Sequence, residues 1–289
     1  MTDTAGDVSV LCVVGVRGVT QLHDVVYIVC YGSSAILRFN ATTHQRLTDI
    51  VVNDLRDPWD IVACERTSQV YVADSWKCIW RVSSDGADIK RWLPKSPSDT
   101  FKPWKLSVTS TRLLVTSYKT RQLIEFDAVG DELRRVQLPD DMAPRHAVES
   151  PTGTFIISHD NYQLRQDQVS EVNTAGEVLR QFSRSRLSSL GVTAHVAADS
   201  HGNILVADQH NRRILLLDAH LKLLRVIVDQ HQLDYEPHHL CYIEQSGELL
   251  VGSYEGIGFF NHGVVEVFDV LCRYMNCFTC SGLHFVHFL

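Results

Sequence analysis

Apolar positions fall in short clusters bounded by turn-forming residues throughout the chain. The clearest stretch, His195 to Val228, predicts four strands: Val196–Ala198, Ile204–Ala207, Arg213–Leu217 and Lys222–Val228. Asp199–Asn203 and Gln209–Arg212 supply the turns between the first three, with Gly202 free to take a positive φ.

The unit repeats. Its second strand reads VYIV at 26–29, VYVA at 70–73, LLVT at 113–116, FIIS at 155–158, ILVA at 204–207 and LLVG at 249–252. The third residues of these strands are Ile28, Val72, Val115, Ile157, Val206 and Val251, at steps of 44, 43, 42, 49 and 45 positions. A proline opens the first strand of four units, at Pro58, Pro103, Pro144 and Pro237. Gly86, Gly130 and Gly176 each fall four residues past Val82, Phe126 and Val172. The longest step fits an enlarged polar surface loop at Asp160–Gln168. A four-stranded antiparallel unit of this length is a propeller blade, which buries its faces only against its neighbours. The expected fold is an all-β, six-bladed β-propeller.

The sixth unit has strands near Leu240–Ile243, Leu249–Gly252 and Val264–Phe268 but no recognisable fourth. The spare segment Val8–Val14 is expected to supply it, closing a propeller over 8–270. Residues 271–289 then lie outside the ring as an apolar, cysteine-rich tail. Cys277, Cys280, His284 and His287 in that tail superficially suggest zinc ligands, but the gap between the pairs is too short for a zinc-finger pattern.

Composition narrows the function. Hydrophobic residues make up 45% of the 289 positions and charged residues 21%, a globular balance that excludes wholesale disorder. A net charge of -7 argues against a uniformly basic nucleic-acid glove. No run approaches the roughly 20 apolar residues that span a bilayer. Acidic Met1–Asp7 is unlike a secretory signal, and most of the eight cysteines sit singly in apolar stretches. That pattern reads as reduced core thiols in a cytoplasmic protein, and the chain is expected to be a monomer.

Gly202-Asn203-Ile204-Leu205-Val206-Ala207-Asp208 followed by Asn211-Arg212-Arg213-Ile214 resembles the NHL repeat, as does Pro58-Trp59-Asp60-Ile61 leading to Tyr71-Val72-Ala73-Asp74. The resemblance extends with weaker units over about residues 8 to 270. It implies a six-bladed propeller. In tripartite-motif proteins such a propeller is the recognition module for RNA or protein. The family also contains a peptidyl-amidating lyase whose histidines after the first-strand proline bind zinc. Only His238 matches that pattern here, which weighs against lyase chemistry.

In a propeller the starts of the innermost strands gather at one mouth of the central channel. The residues after the proline position are Arg17, Trp59, Trp104, Arg145, Ala194 and His238, and the next ones are Gly18, Asp60, Lys105, His146, His195 and His239. Arg17, Trp59, Trp104, Lys105, Arg145 and His238 are therefore the candidate partner-binding residues. Aromatic faces interleaved with cations suit peptide anchors, and they suit stacked bases with phosphates as well. The bland reading makes the tryptophans wedges between blades and pairs the arginines with blade acids. Strand alternation is expected to send the two rings opposite ways, leaving His146, His195 and His239 in strand hydrogen bonds rather than on a metal. Asp74 and Asp208 are read as turn-fixing acids. No GxSxG, HExxH or phosphate-loop motif appears. The expectation is a non-catalytic module, needing no cofactor and no membrane, that binds a protein or peptide through one face. A single-stranded RNA partner is the first alternative, and a metal-dependent lyase-like or lactonase-like enzyme the second.

Overall fold

The structure is a computed structural model and describes residues 15–74, 78–92, 102–109, 112–161, 166–182, 193–255, 262–270 and 287–288. Each repeat forms a four-stranded antiparallel meander, and six of these sheets make a β-propeller. Blade one comprises β1 Val16–Leu22, β2 Val25–Cys30, β3 Ala35–Asn40 and β4 Ile50–Val51. Blade two has β5 Pro58–Cys64, β6 Gln69–Asp74, β7 Cys78–Ser83 and β8 Ile89–Trp92. Blade three has β9 Lys105–Thr109, β10 Arg112–Ser117, β11 Gln122–Phe126 and β12 Glu132–Gln137. Blade four has β13 Met142–Glu149, β14 Phe155–Asn161, β15 Gln166–Val172 and β16 Val178–Gln181. Blade five has β17 Thr193–Ala198, β18 Ile204–Asp208, β19 Arg213–Leu217 and β20 Leu223–Val228. Blade six has β21 Glu236–Ile243, β22 Glu248–Glu255, β23 His262–Asp269 and β24 His287–Phe288.

The first strands touch one another in sequence, and β1 also packs on β21, which closes the circle. Six apolar clusters fill the six gaps between adjacent blades. Alternation along each second strand sends neighbouring side chains to opposite gaps. In β18, Ile204 and Val206 face blade four while Leu205 and Ala207 face blade six. A strand buried on both faces reads as an unbroken apolar run, which is why these strands mark the repeat so clearly. The anchors Ile28, Val72, Val115, Ile157, Val206 and Val251 are all buried, each against the preceding blade. Gly86, Gly130 and Gly176 all take positive φ in the turn before the outermost strand. A side chain there would collide with the outer part of the preceding blade at Ile50 and the Gln137 carbonyl for Gly86 and Gly176, and would crowd Trp92 for Gly130.

The hairpin at Asp160–Gln168, residues 287–288 and Cys30 depart from the expectations. The loop expected at Asp160–Gln168 is instead a longer hairpin, with Asp160 paired to Asp167 and Asn161 to Gln166. Val8–Val14 lies outside the described residues. Among the described residues the pairing outside β23 is made by His287 and Phe288 with Glu266 and Val265, so these two residues, placed by the sequence in a tail outside the ring, join blade six. An outer edge with open amide and carbonyl groups accepts any extended segment within reach. Finally, Cys64, Cys78 and Cys241 are free thiols, but Cys30 is disulfide-bonded, so it is not the reduced core thiol expected. No helix among the described residues is long and apolar enough to cross a membrane.

Candidate functional site at the channel mouth

The inner strands carry a shared irregularity. The β1–β2, β5–β6, β13–β14 and β21–β22 pairings each skip one residue: Arg17, Trp59, Arg145 and His238. The β17–β18 ladder breaks at the same place, between Thr193 and Val196. In blade three Trp104 sits just before β9, its amide bonded to the Thr116 carbonyl at 2.9 Å. A bulge of this kind interrupts alternation and re-aims a side chain. The expectation that the two rings must face apart is thereby corrected: the bulged residue and its successor both serve the channel, at two levels.

At the upper level, a cavity of about 180 Å³ is lined by Arg17, Trp59, Trp104, Lys105, Arg145 and His238, together with Val16, Gln209 and Tyr254. All six residues singled out in the sequence thus meet at one opening. A stack of planar groups runs around the rim. His238 lies on Tyr254 with centroids 3.6 Å apart, and the Arg17 guanidinium is 5.2 Å from Tyr254 and 4.5 Å from Trp59. Trp59 stacks on Trp104 at 4.4 Å, and Trp104 leans on Tyr118 at 5.6 Å. The Tyr118 hydroxyl donates to Asp160 at 2.7 Å. Asp160 in turn pairs with Arg145, and Asp167 reaches the same guanidinium at 3.4 Å. The bland reading of the sequence is therefore partly realised: the tryptophans stack across the boundary of blades two and three, and Arg145 is paired. Burial, and after it the charges of Lys105, Arg17 and Arg145, push His238 well below the usual imidazole range, so it is neutral.

Lys105 plays a different part from the one expected. Its ammonium lies 3.2 Å from the Arg17 carbonyl, 3.0 Å from the Trp59 carbonyl and 3.3 Å from Asp60. Those are its three donors, all committed inside the fold. It contributes positive potential to the cavity floor but no free hydrogen bond.

The lower level stitches blade to blade. The Leu106 amide donates to Asp60 at 2.7 Å, Val196 to His146 Nδ1 at 3.3 Å, Leu240 to His195 Nδ1 at 3.4 Å, and Val19 to His239 Nδ1 at 3.5 Å. In each case the donor belongs to the next blade. A ring nitrogen that accepts carries no proton, so these imidazoles are held neutral with hydrogen on Nε2. His146 Nε2 donates to the Leu106 carbonyl at 3.0 Å, and His239 Nε2 lies 2.7 Å from Asp60. Where blade one has Gly18, a Cβ would lie 2.9 Å from the Ile61 amide, so the blades there are too close for a side chain. Burial alone would raise the Asp60 carboxyl, but Lys105 foremost, with His239 and His146, brings it to about 2.

Asp60, His146 and His195 bring possible ligand atoms within 4.8 Å of one another. They do not fit a cation. Both Asp60 oxygens and both His146 nitrogens are engaged, and the Lys105 ammonium faces the same carboxylate. Only His195 Nε2 is without a partner. The set is a polar seam, consistent with the strand-hydrogen-bond reading of these histidines. Asp74 likewise accepts from the Arg56 and Asp57 amides, both at 3.3 Å, and from the Trp80 indole.

Tyr118, Asp160, Asp167 and Tyr254 were missed in the sequence. All four lie at or beyond the ends of the second strands or in the lengthened hairpin, where no repeat anchor flags them.

No family model matches the chain, and no curated protein matches it in sequence. Solved structures do match in shape. Kuenenia stuttgartiensis hydrazine synthase aligns with a TM-score of 0.63 at 14% identity, over 98% of this chain and 84% of that one. A chain of the nidogen/laminin complex aligns at 0.62 and 14%, over 78% and 84%. A protein of unknown function from Bacteroides caccae aligns at 0.63 and 14%, over 80% and 83%. At this identity the likeness speaks for the propeller alone.

Proposed function

We propose that this chain is a non-catalytic, NHL-type propeller that binds a protein or peptide at the Arg17–Trp104 mouth of its channel. The observation that carries the reading is the convergence of side chains from all six blades on one small cavity. Its rim is aromatic and cationic, the composition that dominates protein hot spots. Beneath it, almost every polar group is already bonded within the fold, which supports a rigid receptor surface over a reacting centre. A peptide is favoured over RNA because phosphate-tracking grooves need several free cations, whereas Lys105 and Arg145 are both committed here.

The test is selection of phage-displayed random peptides on the purified chain, followed by capture on a Trp59→Ala/Trp104→Ala variant. Enriched peptides are expected to lose at least about tenfold in affinity on the folded double variant. Undiminished capture by that variant would move the site elsewhere. Tight capture of single-stranded oligoribonucleotides, falling steeply with salt, would replace the peptide reading with the RNA one.

A further inference from the structure

The charges around the mouth are unequally matched. Arg145 has two carboxylates, Asp160 and Asp167. Lys105 has Asp60 and two carbonyls. Arg17 has none among the described residues. Its guanidinium lies near the rings of Tyr31, Trp59 and Tyr254, at 4.9, 4.5 and 5.2 Å. One terminal nitrogen makes a long 3.5 Å contact to the Tyr254 hydroxyl, and the buried Nε has no partner.

We infer that the channel mouth is a carboxylate-binding site, with Arg17 as the receiving residue. In its natural use, which rests on the peptide reading above, the ligand is the C-terminal carboxylate or an acidic side chain of a peptide. Aromatic faces hold a guanidinium in place while leaving its N–H edges unused, and those edges match a carboxylate bidentately. Lys105, close enough for each charge to feel the other, adds attraction without competing as a donor. The cavity of about 180 Å³ has room for the carboxylate and a short side chain. One uncommitted positive charge suits a monoanion better than a phosphate dianion or a run of phosphodiesters.

Two experiments separate the site from its biological use. The first titrates benzoate, benzamide and phenyl phosphate into the 15N-labelled chain and follows the Trp59 and Trp104 indole signals. Benzoate is expected to give saturable shifts, benzamide none, and Arg17→Gln to weaken benzoate by about fivefold or more, with Arg17→Lys between. Equal response to benzamide, no response to benzoate, or indifference to Arg17→Gln would overturn the inference. Phenyl phosphate binding several-fold tighter than benzoate would overturn it in favour of phosphate. The second takes the selected peptides and removes each carboxylate, by C-terminal amidation or by Asp→Asn and Glu→Gln. One of these changes is expected to cost about as much as Arg17→Gln, and the two losses should not add. Peptides that need the tryptophans but ignore both changes would leave the peptide reading standing and remove the carboxylate. Benzoate binding at Arg17 without any captured peptide would do the reverse.

Discussion

Single residues at the channel centre bear on folding as much as on recognition. Lys105 and Asp60 are both buried and bonded to each other, and Lys105 also reaches carbonyls of blades one and two. Removing one member of such a pair strands the other charge in a poorly solvated place. Lys105→Met is therefore expected to destabilise the fold by about 3–5 kcal/mol, read as a shift in the urea midpoint. Lys105→Met/Asp60→Asn should recover part of that loss, because no bare charge remains. A double variant no more stable than the single one would show that the three bonds of Lys105, and not the stranded carboxylate, dominate. The positions of the mouth residues were legible in the sequence, since the proline register aligns Arg17, Trp59, Trp104, Arg145 and His238. Which of them is free to bind was not legible. That depends on partners such as Asp160 and Asp167, brought to Arg145 by a hairpin extension, and on carbonyls that carry no sequence signal.

At the level of elements, the repeat could be read because burial on both faces forces an apolar run into each second strand. The inner-strand bulges could not, because a skipped residue changes no residue type, only the side it faces. This is why simple alternation sends His146, His195 and His239 the wrong way. The turn glycines were legible as landmarks, and the structure supplies their reason. Gly176 has φ +85°, and a Cβ on it would lie 2.1 Å from the Gln137 carbonyl of blade three. Gly176→Ala combines backbone strain with displacement of a neighbouring blade. The expected cost is about 2–3 kcal/mol, measurable by thermal or urea unfolding. Gly153 also has positive φ but nothing within 4 Å of the position of its Cβ, so Gly153→Ala reports the strain alone and should cost less. Equal losses would mean that the contact with blade three carries no weight.

Across the whole molecule, the histidine seam couples ring closure to pH. His146 and His195 stack at 3.5 Å, and the tilted rings of His195 and His239 lie 4.0 Å apart, so a proton on any one would meet its neighbours and would block the nitrogen that accepts from the next blade. Burial lowers His146 to about 4 and lowers His195 and His239 as well. Between the ordinary histidine value of about 6.5 and these lowered values, the unfolded chain takes up protons that the folded one refuses, so stability falls as pH falls. His146 alone corresponds to roughly 3 kcal/mol over that interval. Glu266 works the other way. Burial raises it to about 7, so between the ordinary glutamate range and neutrality the folded chain keeps a proton that the unfolded chain has lost, and acid stabilises. The two nearly offset, and the remaining seam histidines decide the sign. The wild-type melting temperature is thus expected to fall from about pH 6.5 towards pH 4. Glu266→Gln removes the opposing group. That variant should melt above wild type near pH 7.5, converge on it near pH 4.5, and so show the steeper acid loss. A wild-type melting temperature that rises on acidification would mean that the seam accepts protons inside the closed ring, and that its imidazoles do not join the blades as neutral acceptors.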